Sequence, residues 1–181
     1  DGLLIVGIAG GTKKLSRFVK LPKTYEAEIL FGLKTETGDL EGKIIEKKET
    51  NEINSQKLDR VLRELTGEIE MTVPQYSAIK INGKCLYKYA RKGIKVELPK
   101  RVSTIFSLTR LEDYFDSEFN CYNVKAKIEC SSGTYVRSLV EEIGKKMNLP
   151  TTCKSIKRTK IGNFDLKDAV KLENIKKNQM N

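Results

Sequence analysis

The chain has 181 residues, 39% of them hydrophobic and 32% charged, enough for one domain with a sizeable core. It holds no histidine, which excludes Ser-His-Asp and Cys-His catalysis and any Cys/His zinc site. No apolar run approaches the roughly 18 residues that would span a bilayer, so a cytoplasmic protein without membrane contact is expected. The net charge of +10, from 34 Lys and Arg against 24 Asp and Glu, is spread along the whole chain. Such a basic body suits a polyanionic partner, nucleic acid before an acidic membrane surface, although charge alone names none.

Taken in order, the apolar opening Gly2–Ala9 reads as a buried strand, and Thr12–Val19 as a short helix started by Thr12. Residues 24–33 alternate, with Tyr25, Ala27, Ile29, Phe31 and Leu33 on one face and Glu26 and Glu28 opposite, the period of a half-buried strand. A polar loop over residues 35–42 leads to a strand at Lys43–Ile45. Asn54 or Ser55 can cap a helix whose Leu58, Val61, Leu62 and Leu65 share a stripe, ended by Gly67. Ser77–Ile81 runs as a strand into an Asn82-Gly83 hairpin turn, and Leu86–Lys92 forms a short basic helix stopped by Gly93. Strands follow at 102–111 and 122–130. The turn Ser131–Thr134 then opens a helix with Val136, Leu139, Val140, Ile143 and Met147 on one stripe. Residues 154–159 read as a basic strand and 167–176 as a last helix. Strands outnumber helices without regular strand–helix alternation, which favours an α+β domain with a mixed, mainly antiparallel sheet flanked by helices.

The four cysteines, Cys85, Cys121, Cys130 and Cys153, form no C-x-x-C pair, and a four-cysteine metal site, though formally possible, has no recognisable spacing; Cys121 and Cys130, in a strand-like stretch, read as buried free thiols. Gly7–Lys13 lacks P-loop spacing. Aromatic and basic residues do meet at element ends: Tyr25 beside Lys23, Tyr135 beside Arg137, and Tyr87 and Tyr89 beside Lys88 and Arg91. Unstacked bases and their phosphates need that combination, although any single tyrosine is more often a core residue.

Several segments together resemble the TruB pseudouridine synthases. Gly2–Val6 running into Gly11-Thr12-Lys13-Lys14-Leu15 is similar to the tail of that family's catalytic motif. Lys23–Ala27 resembles its K-x-Y strand, and Gly32–Gly42 its G-x-x-T-x-T-x-D-x-x-G stretch. Pro74–Gly93 resembles the P-x-x-S-A-x-K-x-x-G-x-x-L-Y-x-x-A-R-x-G signature, Cys130–Arg137 the C-S-x-G-T-Y-I/V-R turn, and Ile156–Thr159 the L-R-R-T strand. The matches keep the family's order across nearly the whole chain.

The resemblance implies one synthase catalytic-core domain over residues 1–181, working as a monomer without cofactor. Its partner would be the T-arm stem-loop of tRNA, in which it would isomerise the uridine at position 55 to pseudouridine by base flipping. It implies Tyr25 as the tyrosine stacked on the base, Arg137 as the partner of a catalytic aspartate, and Tyr135 as its neighbour. Ile156 stands where the family usually has a leucine beneath the base. Lys13, Lys80 and Arg158 would support loops or RNA backbone. The pattern G-x-L-D-P-x-A-x-G-L-L sets the catalytic aspartate ahead of Gly2 and Asp1 at a variable position. The expectation is therefore an upstream aspartate, no pseudouridine formation by the 181 residues alone, and no full C-terminal RNA-binding domain. The alternatives are a non-catalytic tRNA-binding or chaperone module on the same fold, and a guide-dependent synthase. The residues Gly32–Gly42 fit the latter less well, having the bacterial form.

Overall fold

The computed structural model describes residues 1–50, 52–171 and 174. After a 3-10 turn at Ala9–Lys14 come helix α1 (Ser16–Val19), strands β1 (Lys23–Phe31), β2 (Leu33–Thr35) and β3 (Ile44–Lys47), and helix α2 (Ser55–Glu64). Strands β4 (Gly67–Thr72), β5 (Lys80–Ile81) and β6 (Lys84–Cys85) lead to helix α3 (Leu86–Ala90). The chain then runs through β7 (Lys100–Asp116), β8 (Cys121–Cys130), α4 (Val136–Met147), β9 (Thr151–Ile161) and β10 (Phe164–Asp165). Six strands form one sheet in the order β10-β9-β1-β8-β7-β4, and every neighbouring pair in it is antiparallel. Among the described residues, parallel pairing is confined to two isolated bridges, Gly2 with Arg158 and Asp39 with Cys153. No helix among the described residues is long and apolar enough to cross a membrane.

The alternation in β1 decides how the layers stack. Ala27, Ile29 and Phe31 are buried in the main core with Val124, Ala126 and Ile128 of β8, and Tyr25 packs against its margin. Helices α2 and α4 close this face with Leu58, Val61 and Leu62 from one and Leu139, Val140 and Ile143 from the other. Each such side chain removed from water contributes roughly 1.5–3 kcal/mol. The opposite face of the sheet carries cross-strand charges instead: Lys125 lies 3.7 Å from Glu26 and 3.2 Å from Glu112, and Lys154 lies 3.9 Å from Glu28. Partly solvated pairs of this kind add little stability; their effect is to keep that face polar.

Two local devices set the helices. The Asn54 side chain accepts the Lys57 amide at 2.8 Å and starts α2. In α4, Gly144 lies so close to β9 that a Cβ there would meet Thr151 Oγ1 at 2.3 Å. Helix α4 thus approaches the sheet closely and ends at Asn148, which takes the left-handed conformation with φ 59°.

Some expectations need correction. The opening segment is not a buried strand: only Gly2 bridges to β9 and only Leu3 is buried, whereas Leu4, Val6 and Ile8 are 70%, 68% and 46% exposed. An apolar run becomes a strand only where an edge is free to pair, and here the pairing stops at Arg158. Thr12 caps nothing; it lies inside the 3-10 turn and donates back to Ala9 O at 2.8 Å, so the α-helix begins at Ser16. Gly32, with φ 105° and packed on Lys48 O, separates Leu33 from β1 and sends it into the β2–β3 hairpin. Of Ser77–Ile81 only Lys80–Ile81 is strand, and the turn after it has positive φ at Asn82 and Gly83, as a tight hairpin requires. Strands β7 and β9 run beyond both ends of the expected segments. In place of the helix over 167–176 there is a 3-10 turn at Leu166–Asp168, and residues 172, 173, 175 and 176 lie outside the described residues.

Where β7 passes α2, a charge cluster ties the two layers. Arg110 donates through Nε and Nη2 to the Asp59 carboxylate at 2.9 Å each and through Nη1 to Asp113 at 2.5 Å, while the Tyr122 hydroxyl also donates to Asp113. The Arg110 bonds hold the Asp59 carboxyl below its usual pKa, and Tyr122 first, then Arg110, do the same for Asp113. A carboxylate depressed in the folded state stabilises above its unfolded pKa of about 3.9, and that contribution is lost as the pH falls through the folded value. Arg110→Met should therefore unfold at a lower temperature than wild type at about pH 6, with the difference shrinking by about pH 3. Thermal unfolding across that range checks this; a gap independent of pH would show that charge is not what the cluster supplies.

Candidate active site

The loop between β2 and β3 is folded around Asp39. Its carbonyl accepts the Thr35 hydroxyl at 2.6 Å, and its Oδ1 accepts the Glu41 amide at 3.2 Å and the Thr37 hydroxyl at 2.5 Å. Gly38 turns with φ 75°, and a Cβ on Gly42 would sit 2.4 Å from Thr37 Oγ1. These contacts explain the threonines, the aspartate and the closing glycine of the Gly32–Gly42 stretch. The loop rests on β9 through the Cys153 amide, which donates to Gly38 O at 3.0 Å.

Arg137, in the first turn of α4, reaches into this loop. Nη1 donates to Thr37 O at 3.0 Å and to Asp39 Oδ2 at 2.8 Å, and Nη2 donates to Tyr76 O at 2.9 Å. Three segments remote in sequence meet at one guanidinium. Of its five N–H groups, Nε–H and one on Nη2 have no acceptor among the described residues. The pair is partly open to solvent, at 22% for Arg137 and 27% for Asp39. Beside it, Thr37, Tyr76, Ser138 and Glu141 line a cleft of about 180 Å³, where the Tyr76 hydroxyl donates to Glu36 at 3.2 Å. Beneath the loop, burial first and the Asp39 charge second push the Cys153 thiol up to about 12.

A second group forms where β1 meets β9. Tyr25 lies opposite Arg158, and Ala27 opposite Ile156. Burial raises the pKa of the Tyr25 phenol, and its hydrogen bond with Arg158 opposes the rise. Arg158 Nε donates to Leu3 O at 2.8 Å, the Leu3 amide donates to Arg158 O at 2.8 Å, and the Arg158 amide donates to Asp1 O at 3.1 Å. Gly2 has φ 112° and a Cβ on it would lie 2.3 Å from Arg158 O, so this crossing requires glycine. Ile156, half-buried, packs against the core margin, as does Tyr25.

Of the remaining expected site residues, Tyr135 is the half-buried residue immediately before α4. Lys13 is exposed in the 3-10 turn and Lys80 is exposed in β5, and neither is a hydrogen-bond partner of Arg137 or Asp39. Tyr87 carries Arg91 over its ring at 5.3 Å. Sequence reasoning missed Asp39 as the carboxylate that holds Arg137, and Tyr76 as a carbonyl ligand of the same side chain. The signal for Asp39 was present in the T-x-T-x-D spacing, but nothing in one sequence says that this loop folds against α4.

Solved structures share this fold. A crystal structure of a Cbf5-Nop10-Gar1 complex matches with a TM-score of 0.59 at 19% identity, covering 86% of this chain and 35% of that one. An H/ACA RNP bound to a substrate RNA containing 2'-deoxyuridine matches with a TM-score of 0.55 at 17% identity, covering 86% of this chain and 33% of that one. Residues 1–136 match the TruB family pseudouridylate synthase (N terminal domain), and the chain belongs to that family. Three relatives are each named tRNA pseudouridine synthase B. That of Bacillus cytotoxicus is 39% identical over 181 residues, covering 99% of this chain and 59% of the relative. That of Caldicellulosiruptor saccharolyticus is 41% identical over 174 residues, covering 96% and 58%. That of Endomicrobium trichonymphae is 40% identical over 172 residues, covering 95% and 72%. The chain thus spans less than two thirds of the length of the first two.

Removing the Asp39 carboxylate would leave Arg137 a single charged partner fewer and free the loop from Thr37 and Glu41. Hydrogen bonds between charged groups are each worth about 1.5–3 kcal/mol. Asp39→Ala in the full-length protein should therefore loosen the loop and lower the melting temperature by a few degrees. Thermal unfolding measures this, and a wild-type melting temperature would mean that the other bonds of the loop hold it without the carboxylate.

Proposed function

We propose that the full-length protein isomerises a uridine of tRNA to pseudouridine, and that its target is the T-loop uridine at position 55. In that reaction the C1′–N1 bond breaks, the uracil turns, and a C1′–C5 bond forms while C5 loses a proton and N1 gains one. Atoms and electrons balance without oxidant, reductant or cofactor. The uridine must first leave its stack, so a pocket with a π platform is needed.

The observation that carries this reading is the state of Arg137. Its guanidinium is held from one side by Thr37, Asp39 and Tyr76 and keeps two donors for another acceptor. A planar fork with two donors left suits a second carboxylate, the role that the family resemblance assigns to a catalytic aspartate. Tyr25 supplies the ring and Ile156 an apolar floor; Arg158 lies opposite Tyr25 on the neighbouring strand. Tyr135, Lys13 and Lys80 are proposed as pocket neighbour and backbone contacts.

Release of tritium from a T-arm stem-loop carrying 5-tritiated uridine tests the reading. Wild-type full-length protein should release it, and Arg137→Met should bind the RNA but release none. Tyr25→Phe keeps the π face and should retain folding and RNA affinity. Tyr25→Leu loses a stacking contact of about 1–3 kcal/mol and should weaken productive binding by roughly ten- to a hundredfold, with the melting temperature nearly unchanged. If Tyr25→Leu lowers stability and rate together while Tyr25→Phe changes neither, Tyr25 is a core residue.

A further inference from the structure

Lys23 lies on β1 two positions before Tyr25, and so on the same face of the strand. Its Nζ donates to Val19 O at 2.5 Å, to Leu21 O at 2.6 Å and to Ser132 Oγ at 3.1 Å. An ammonium has three hydrogens, so each has an acceptor and none is left for a substrate. Ser132 spends its own hydroxyl hydrogen on Val19 O, at 2.5 Å. These bonds knot together the start of β1, the turn after α1, and the turn that opens α4.

Both turns are anchored elsewhere. The first is fixed to the β9–β10 hairpin by the Gly162 amide, which donates to Pro22 O at 2.9 Å, and by Phe18 set edge-on to Phe164 at 5.4 Å. The second is fixed to β7: the Ser131 amide donates to Thr104 O at 2.8 Å, and Ser131 Oγ accepts the Thr104 amide at 3.0 Å. Tyr135 and Arg137 follow directly on that second turn. The ammonium also lies near the Arg158 guanidinium, and burial first and that cation second lower its pKa. A cation beside a cation costs energy that a neutral donor would avoid, and the charge-assisted bonds to the two carbonyls offset it.

We propose that Lys23 is a positioning residue of the Arg137 site: it fixes the turn Ser131–Thr134, and with it the first turn of α4, against the segment that precedes β1. The inference rests on reading the protein as a uridine-isomerising enzyme. Since Lys23 has no donor to spare, its loss falls on the geometry of the reacting groups and not on contact with RNA.

The test measures single-turnover tritium release, affinity for the same stem-loop, and thermal unfolding on the full-length protein. Lys23→Met should lower the rate about tenfold or more, with RNA affinity within about twofold and only a small change in melting temperature. Lys23→Arg keeps a cationic donor and should recover most of the rate. Ser132→Ala removes one acceptor without touching the lysine and should give the same split at smaller size. A Lys23→Met protein that turns over at the wild-type rate overturns the proposal. So does one whose affinity and stability fall in step with its rate, since Lys23 is then merely structural. If Lys23→Met does not fold, Ser132→Ala decides, and an unchanged rate in it counts against the proposal. Wild-type protein that releases no tritium sinks the enzymatic reading and this inference with it, whereas an active wild type with unaffected variants sinks this inference alone.

Discussion

Strand β1 is hydrogen-bonded along both edges, to β8 on one side and β9 on the other, so it cannot slide without breaking two ladders at once. Its hydrophobic face is committed to the core, so a slip by one residue would turn Ala27, Ile29 and Phe31 outward and bury Glu26 and Glu28. That constraint fixes where Lys23 and Tyr25 emerge at the strand's start. It also fixes β9, and through β9 the heights of Ile156 and Arg158 on one side and of Cys153 beneath the Asp39 loop on the other. Helix α4 is held to the same strand by the close approach at Gly144, which brings Arg137 to the loop.

The site is therefore assembled from elements whose own stability does not depend on it. The Asp39 loop is shaped by its own threonines bonding to Asp39 and by its glycines, and Arg137 arrives from a helix whose buried stripe is complete without the arginine. A side chain supported this way can be changed without unfolding the domain, because the apolar core carries the stability and the polar contacts carry the geometry.

Much of this was legible in the sequence because it follows from short-range rules. Alternation located β1 and β8, the 3.6-residue stripe located α2 and α4, and Asn82-Gly83 marked the hairpin turn. The residues Arg137, Tyr25, Ile156 and Arg158 could be singled out by resemblance, and the fold sets Tyr25, Ile156 and Arg158 at one strand junction. What could not be read depends on partners distant in the chain. The apolar opening looked like a strand, but whether it pairs depends on how much of the β9 edge is free. Asp39 and Arg137 stand 98 residues apart, and no local pattern joins them. Lys23 looked like the flank of an aromatic residue, yet its charge is spent on the carbonyls of Val19 and Leu21.

The cysteines carry a practical consequence. Cys121, Cys130 and Cys153 are buried and free, and burial raises the pKa of each, so they persist as unreactive thiols. Cys85 alone is partly accessible, at the end of the short hairpin strand that leads into α3. A maleimide dye added to the folded 181-residue chain would therefore attach at one place, without any cysteine of these residues being changed. It would report on the hairpin from a fixed point, and labelling of the other thiols would serve as a clock for the opening of the core.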